Sequence, residues 1–239
     1  MQAVILAGGF GTRLESILKR LGTIKSMVPI NGKPFLEYII SFLRRNSVKD
    51  IVICLYYMPE KITSYFGNGS KFGVNIKYSY EKEPLQSAGA IKNAENLLEE
   101  DVILINGDNY FEIDYEKLLD YHKEKKALIT MGTTSLKNTR TRGICTTFKV
   151  ENGKIIKEFG KNITSESNEA LAGTFIIKKE ILKNLKKGVA VSLEKEILPK
   201  IISLGRAFSM LSGGYYIDIG TPEMYEEFIK DVKRGIVKL

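Results

Sequence analysis

Short apolar runs and apolar residues at helical spacing alternate along the first half of the chain. The apolar runs predict strands over residues 3–7, 50–56, 74–80 and 102–105. The helical spacing predicts helices over residues 35–45, 59–66, 87–98 and 114–125, the third with Ser87 as its N-cap. This order of elements predicts an α/β fold with a mostly parallel sheet and helices on both faces. Ligands bind such sheets where strands end, and two predicted strands end in the loops Gly8-Gly9 and Asn106-Gly107-Asp108.

Shorter segments separated by turn residues follow residue 127. They predict strands over residues 127–132, 144–150, 154–159 and 171–177, and Asn152-Gly153 is a strong hairpin signal. The remaining pattern predicts helices over 178–185 and 192–204, a strand over 215–219 and a helix over 222–234. We therefore predict a single domain, residues 1–239, in which a small β-rich lobe is attached to the parallel sheet.

Charge and composition limit the classes of function that this chain could have. The net charge is +8, but the lysines are dispersed, which favours small anionic substrates over nucleic acid. No apolar run approaches the length that spans a bilayer, and the N-terminus lacks the positive region of a signal peptide. Cys54 and Cys145 are too few for a disulfide framework, so we expect a reduced, cytoplasmic protein without membrane attachment.

The glycine-rich segment LAGGFGTRL, residues 6–14, joins the first strand to a helical pattern. Glycines at such a junction let the backbone approach a phosphate closely, and Arg13 adds a forked cation suited to phosphate oxygens. A dinucleotide-binding loop would need a small residue at Leu14, and a Walker A loop would need Gly-Lys-Ser/Thr. From these residues alone, a phosphate site and a plain glycine turn stay equally open.

Five segments in chain order resemble the sugar-1-phosphate nucleotidyltransferase family. They read LAGGFGTRL, EKEPLQSAG, NGD, LAGTF and YYIDIGTPEMY. The family's loop signature continues with Pro-Lys-Pro, where this chain has Ile24-Lys25-Ser26. Gln86 stands where the family has glycine, Gly160 where it has glutamate, and Leu171 where it has asparagine. The PINGKPFLEY run and the YIDIG ending are most similar to the heptose 1-phosphate guanylyltransferase branch.

The resemblance implies a Rossmann-like fold of the nucleotide-diphospho-sugar transferase type, with a nucleotide-binding half over about 1–133 and a sugar-binding half over 134–239. It implies that a nucleoside triphosphate and a sugar 1-phosphate are joined into a nucleotide sugar with release of pyrophosphate. GTP and heptose 1-phosphate are the favoured pair. Mannose 1-phosphate with GTP, or glucose 1-phosphate with UTP, dTTP or CTP, stays open, as does a homodimer.

The resemblance also assigns roles to individual residues. Catalytic roles fall on Arg13, Lys25 and Asp108. Binding of Mg²⁺ falls on Asp108 and Asp218. Nucleotide binding falls on Leu6, Ala7, Gly8, Gly9, Gly11, Thr12, Arg13, Gln86 and Gly89. Sugar-phosphate binding falls on Gly107, Lys161, Gly173 and Glu194.

Plainer interpretations stay open beside these roles. Asp108 is also a common turn residue, Glu194 a helix-surface charge, and Lys25 and Lys161 surface lysines. His122, the one histidine, lies on a charged helix away from the motifs, and Tyr56-Tyr57 is typical of strand packing. At the level of class, a metal-dependent glycosyltransferase would need Asp-x-Asp and leaves the glycine loop unexplained. A non-catalytic sugar-nucleotide-binding regulator is the remaining alternative.

Overall fold

The computed structural model describes residues 1–137, 146–158 and 164–239. Its strands are β1 (Gln2–Leu6), β2 (Pro29–Ile30), β3 (Lys33–Pro34), β4 (Asp50–Leu55), β5 (Asn75–Tyr80), β6 (Asp101–Asn106), β7 (Asn109–Phe111), β8 (Ile129–Ser135), β9 (Thr147–Glu151), β10 (Lys154–Glu158), β11 (Glu169–Lys178), β12 (Ala207–Leu211) and β13 (Tyr216–Asp218). Its α-helices are α1 (Glu15–Leu21), α2 (Phe35–Arg45), α3 (Glu60–Phe66), α4 (Gln86–Asn93), α5 (Tyr115–Glu124), α6 (Leu198–Ser203) and α7 (Pro222–Lys233).

Within these ranges nine strands form one mixed sheet, in the order β5-β4-β1-β6-β11-β8-β12-β10-β9. The first four are mutually parallel, as the alternation of strands and helices predicts. β11 then lies antiparallel between β6 and β8. The β-rich second half therefore continues the sheet of the first half. Two short ribbons, β2 with β3 and β7 with β13, lie outside this sheet.

Most predicted elements are confirmed within a few residues, and two local predictions are wrong. Helix α4 begins at Gln86 with no side-chain cap, so Ser87 is not its N-cap. The helix predicted over 178–185 is only a 3-10 turn, Lys179–Leu182. The last predicted strand, β13, pairs with β7 and not with the main sheet.

Alternate residues of the central strand enter separate hydrophobic clusters on the two faces of the sheet. Ala3 and Ile5 of β1 pack in the cluster that includes Phe35 of α2 and Phe228 of α7. Val4 belongs to the other cluster, with residues of α4 and α6. Both faces of the sheet are thus covered by helices. No helix in the described part of the chain is long and apolar enough to cross a membrane.

The register of the parallel strands brings three loops together at one sheet edge. Leu6, the last residue of β1, pairs with Cys54 of β4 on one side and with Asn106 of β6 on the other. The glycine loop therefore starts between Tyr56 and Gly107. Cys54 itself is buried, and Cys145 lies outside the described residues.

Candidate active site

Two glycines of the loop, Gly8 and Gly11, are packed closely against neighbouring residues. A Cβ on Gly8 would lie 3.1 Å from both the backbone nitrogen and the Cβ of Tyr56. Gly11 has a φ of 69° and begins the 3-10 turn Thr12–Leu14, where a Cβ would lie 2.7 Å from Leu18. These positions require glycine, and Leu14, which is fully buried, anchors the end of the loop.

Two cation–carboxylate pairs lie beyond this loop. The Lys25 ammonium donates a hydrogen bond to Oδ2 of Asp108. Arg13 donates from Nη2 to Oδ2 of Asp218 across 3.4 Å. The backbone N–H of Gly220 donates to Oδ1 of Asp218 at 2.7 Å, so both oxygens of that carboxylate are held.

The electrostatics of Asp218 show how closely these charges gather. Burial raises the pKa of its carboxyl group, and the negative charge of Asp108 raises it further. The charges of Arg13 and Lys25 and the Gly220 N–H offset this only in part, because the pKa stays above its ordinary value. Two carboxylates and two cations therefore act on one another at a single point of the molecule.

Two clefts meet at that point. The first, of about 360 Å³, is lined by Leu6, Gly8, Gly9, Phe10, Tyr56, Glu81, Pro84, Leu85, Gln86, Ser87, Ala90, Asn106 and Asp108. The second, of about 190 Å³, is lined by Arg13, Asn106, Asp108, Asn109, Thr146, Leu171, Gly173, Glu194, Tyr216 and Asp218. Asn106 and Asp108 line both, so the end of β6 forms the boundary between them.

The structure brings most of the predicted site residues to these clefts. Lys25 reaches the site through its bond to Asp108, and Gly11 and Thr12 shape the loop behind it. Gly89 lines neither cleft, and it is packed closely, since a Cβ there would be 2.5 Å from the carbonyl oxygen of Val189. Ala7 and Gly107 are buried beneath the loops. Lys161 lies outside the described residues, as does Gly160.

Gly107 has a packing role between the two central strands. Its N–H donates to the carbonyl oxygen of Leu6 at 2.9 Å, and a Cβ would lie 2.8 Å from that same oxygen. A side chain at this position would push the Asp108 turn away from the glycine loop. Gly107 thereby positions Asp108 without facing either cleft.

Glu194 is held in place by hydroxyl groups. The Ser87 hydroxyl donates to Oε2 of Glu194 at 2.7 Å and accepts from the N–H of Leu193 at 2.8 Å. The Ser192 hydroxyl donates to the same oxygen at 3.2 Å. Glu194 thus lines the second cleft as a carboxylate anchored by hydroxyl groups, and its role in sugar binding stays a prediction. The same bonds explain why Ser87 is not a helix cap.

Gly173 shapes the second cleft from the middle of β11. Its φ is 66°, and the register of β11 against β8 shifts between Leu171 and Thr174. A Cβ on Gly173 would lie 2.0 Å from Oδ1 of Asn109, which packs directly against the bare backbone. Asn109 is a cleft residue that sequence reasoning missed, although it directly follows the NGD segment.

Three more missed residues line the first cleft: Phe10, Tyr56 and Glu81. Phe10, half exposed, and Tyr56 meet edge to face with ring centroids 5.7 Å apart. Strand β4 ends at Leu55, so the interpretation of Tyr56 as strand packing is wrong. The signal for Tyr56 and Glu81 is their position one residue beyond a parallel strand, the same signal that identified Gly8 and Asp108.

Known proteins resemble this chain in both sequence and structure. A family model described as Nucleotidyl transferase matches residues 2–235. D-glycero-alpha-D-manno-heptose 1-phosphate guanylyltransferase from Aneurinibacillus thermoaerophilus is 35% identical over 99% of this chain and 100% of that protein. The enzyme of the same name from Campylobacter jejuni is 34% identical over 96% and 99%. The crystal structure of HddC from Yersinia pseudotuberculosis complexed with GMP-PN has a TM-score of 0.81 at 29% identity, covering 97% of this chain and 99% of that one.

Proposed function

This chain belongs to the nucleotidyl transferase family, and we propose that it joins GTP and a heptose 1-phosphate into a GDP-heptose with release of pyrophosphate. The names of the two full-length relatives support this pair of substrates. The main observation behind this proposal is that two clefts meet at Asp108. The ion pairs Lys25–Asp108 and Arg13–Asp218 lie at the same point. A triphosphate in the first cleft and a sugar phosphate in the second would bring their phosphates to this point.

In the reaction, an oxygen of the sugar phosphate attacks the α-phosphorus of the nucleotide. A bond forms between that oxygen and the α-phosphorus. The bond from the α-phosphorus to the oxygen that joins the α- and β-phosphates breaks, and pyrophosphate leaves with the electron pair. Two polyanions must approach each other, and fixed cations lower the cost of this approach. We assign Lys25 to the α-phosphate and Arg13 to the β- and γ-phosphates, because the guanidinium can hold two oxygens at once.

The carboxylates of Asp108 and Asp218 fit a magnesium ion shared with the nucleotide. Mg²⁺ takes one or two protein carboxylates and fills its other positions with phosphate oxygens and water. The two carboxylates are close enough that the charge of one raises the pKa of the other. When bound, Mg²⁺ would neutralise phosphate charge and orient the α-phosphate.

On the sugar side, the anchored carboxylate of Glu194 is assigned to the hydroxyl groups of the heptose. Gly173 lines the same cleft, and Lys161 remains a predicted partner of the sugar phosphate. The division into a nucleotide-binding half and a sugar-binding half is part of this proposal. Support for it is that Gly173 and Glu194 of the second cleft both come from beyond residue 134. A homodimer remains a prediction.

Pyrophosphate release tests the proposal. The protein is incubated with Mg²⁺ and each of GTP, ATP, UTP, dTTP and CTP, in turn with heptose 1-phosphate, mannose 1-phosphate and glucose 1-phosphate. We expect the fastest release with GTP and heptose 1-phosphate. Faster release with another pair corrects the substrates, and no release with any pair rejects the reaction. Calorimetric binding of a nucleotide without any release would instead favour the regulatory alternative.

A further inference from the structure

The hydroxyl group of Ser87 connects the two clefts. Ser87 lines the first cleft, and Glu194, which accepts a hydrogen bond from that hydroxyl at 2.7 Å, lines the second. The same hydroxyl accepts the N–H of Leu193 at 2.8 Å. A serine hydroxyl has one hydrogen to donate. The donor of Ser87 is therefore committed to the carboxylate of Glu194, although its residue lies in the wall of the other cleft.

Main-chain hydrogen bonds hold these two segments against each other. The N–H of Val191 donates to the carbonyl oxygen of Leu85 at 3.0 Å. The carbonyl oxygen of Val191 accepts from the N–H groups of Ala88, at 2.9 Å, and Gly89, at 3.1 Å. A Cβ on Gly89 would lie 3.2 Å from the nitrogen of Val191, so the bare backbone permits this close approach. The start of α4 and the segment that carries Glu194 therefore form one hydrogen-bonded unit.

The carboxylate of Glu194 is held by one of its two oxygens. Both hydroxyl donors, Ser87 at 2.7 Å and Ser192 at 3.2 Å, bond to Oε2. In the part of the chain that the structure describes, Oε1 has neither a hydrogen-bond donor nor a cation. Carboxylate oxygens only accept hydrogen bonds, and the hydroxyl groups of a sugar can donate them. Oε1 is therefore the atom of Glu194 that is open to a sugar hydroxyl.

The two hydroxyl groups differ in what they fix. Ser192 begins the turn that carries Glu194, and its hydroxyl also accepts the N–H of Lys195 in that turn at 3.1 Å. Its bond orients the carboxylate only relative to the turn itself. Ser87 belongs to α4, so its bond fixes the carboxylate relative to the wall of the first cleft. A side chain that is already held loses less conformational entropy when a ligand binds it.

We infer that Ser87 is a positioning residue for the sugar phosphate, because its hydroxyl holds the carboxylate of Glu194 in place for a sugar hydroxyl. The inference rests on the proposed function, since it requires the sugar to bind in the second cleft. It predicts that a residue in the wall of the nucleotide cleft sets the affinity for the other substrate. A direct contact of the same hydroxyl with the nucleotide is the competing role, and it would change a different constant.

Two constants separate these roles: KM for heptose 1-phosphate, from pyrophosphate release with GTP and Mg²⁺, and Kd for GTP, from calorimetry. Ser87→Ala is expected to raise that KM about 10-fold, because a hydrogen bond to a charged group is lost while Ser192 still holds Oε2. The Kd for GTP should change by less than about 2-fold. Ser87→Thr, which keeps the hydroxyl, should recover most of the loss. The control Ser203→Ala, which removes an exposed hydroxyl from α6, should leave both constants unchanged.

The variants Glu194→Ala and Ser87→Ala/Glu194→Ala test whether Ser87 acts through the carboxylate. Glu194→Ala should raise KM for heptose 1-phosphate at least as much as Ser87→Ala does. The double variant should match Glu194→Ala, because the effects of two residues in direct contact are not additive. A double variant about 10-fold weaker than Glu194→Ala, the full independent effect of Ser87→Ala, would contradict the inference.

A folded Ser87→Ala with the wild-type KM for heptose 1-phosphate, or with a weaker Kd for GTP as its main change, overturns the inference and leaves the transferase reaction standing. If Ser87→Ala does not fold, Ser87→Cys, of similar size but with a weak donor, is judged by the same constants. If the wild type releases no pyrophosphate, calorimetry measures binding of heptose 1-phosphate in the presence of α,β-methylene GTP. Binding weakened in Ser87→Ala but not in Ser203→Ala would then uphold the inference and reject the reaction, and equal binding would overturn both.

Discussion

The Lys25 ammonium donates a hydrogen bond to Oδ2 of Asp108, so a cation assigned to the nucleotide and a carboxylate assigned to Mg²⁺ are direct partners. Arg13 and Asp218 repeat this relationship at 3.4 Å. Each pair joins two segments that are distant in the chain, and both pairs lie where the two clefts meet. Four charged side chains can lie close together here because each carboxylate is paired with a cation. The attraction within each pair offsets the repulsion between the like charges.

Glycine at position 86 should be tolerated better than alanine. Gln86 has a φ of 58°, a left-handed conformation that costs a residue with a Cβ about 1 kcal/mol. Both substitutions remove the same side chain, so their difference isolates the backbone. We expect Gln86→Gly to be more stable to urea than Gln86→Ala by about 1 kcal/mol. The strain of a Cβ at this positive φ outweighs the added flexibility of glycine in the unfolded chain. An alanine variant as stable as the glycine variant would contradict the assigned conformation.

Alanine at Gly173 should damage the protein more than alanine at Gly188. Both glycines have positive φ, 66° and 78°, but a Cβ on Gly188 would meet nothing within 4 Å. Gly188→Ala should cost only backbone strain of about 1 kcal/mol. Gly173→Ala adds the collision with Asn109 and should cost about 3 kcal/mol in all. Equal losses in the two variants, measured by chemical denaturation, would show that Asn109 moves aside without cost.

Restoring the family proline at position 24 should destabilise this chain. Ile24 is 2% exposed and has a φ of −107°, outside the range that a proline ring allows. Ile24→Pro loses buried apolar volume and strains the 3-10 turn Lys25–Met27 that carries the site lysine. We expect a loss of about 2 kcal/mol or more, against about 1 kcal/mol for Ile24→Val. A proline variant as stable as the valine variant would contradict this packing role.

His122 should make stability fall in mild acid. Burial lowers its pKa to about 4, although Asp101 pulls it upward, and its Nδ1 shares a hydrogen bond of 2.8 Å with Thr130. The unfolded chain, with an ordinary histidine pKa of about 6.5, then binds the proton more readily than the folded protein. Stability present above pH 6.5 is therefore lost as the pH falls toward 4, by about 3 kcal/mol at most.

The variant His122→Gln keeps a hydrogen-bonding side chain but cannot titrate. Its free energy of unfolding should change less with pH than that of the wild type between pH 6.5 and 4. Denaturant melts at several pH values measure both slopes. Parallel slopes would mean that folding leaves the pKa of His122 at its ordinary value, which contradicts its assigned environment.

The sequence pattern predicted most accurately the features that depend on residue spacing within one element or on the order of the strands along the chain. Asp108 and Gly8 were identified because parallel strands end at one sheet edge, and α2 was predicted with its observed bounds because its apolar spacing is regular. The segment order pointed to Asp218, although the ribbon of β7 and β13 that holds it could not be foreseen.

The missed features depend on contacts between distant segments. Glu81 and Tyr56 line the cleft because β4 lies beside β1 and β5 lies beside β4, and the sequence pattern does not specify this order of strands. Serine is a common N-cap residue, but the hydroxyl of Ser87 instead donates to Glu194 and accepts from the N–H of Leu193. Likewise, β11 pairs antiparallel with β6 and so joins the β-rich half to the parallel sheet. Strand propensity does not predict which strands pair or in which direction.

The most direct measurement of the central claim is the kcat for pyrophosphate release by Asp108→Asn, with GTP, heptose 1-phosphate and Mg²⁺. The substitution keeps the size of the side chain and removes the charge that pairs with Lys25 and would hold the metal. Asp120→Asn, on the exposed surface of α5, is the control. We predict that kcat falls by at least about 100-fold in Asp108→Asn and is unchanged in Asp120→Asn, with both variants folded. Activity in a folded Asp108→Asn within a few-fold of the wild type would contradict the account.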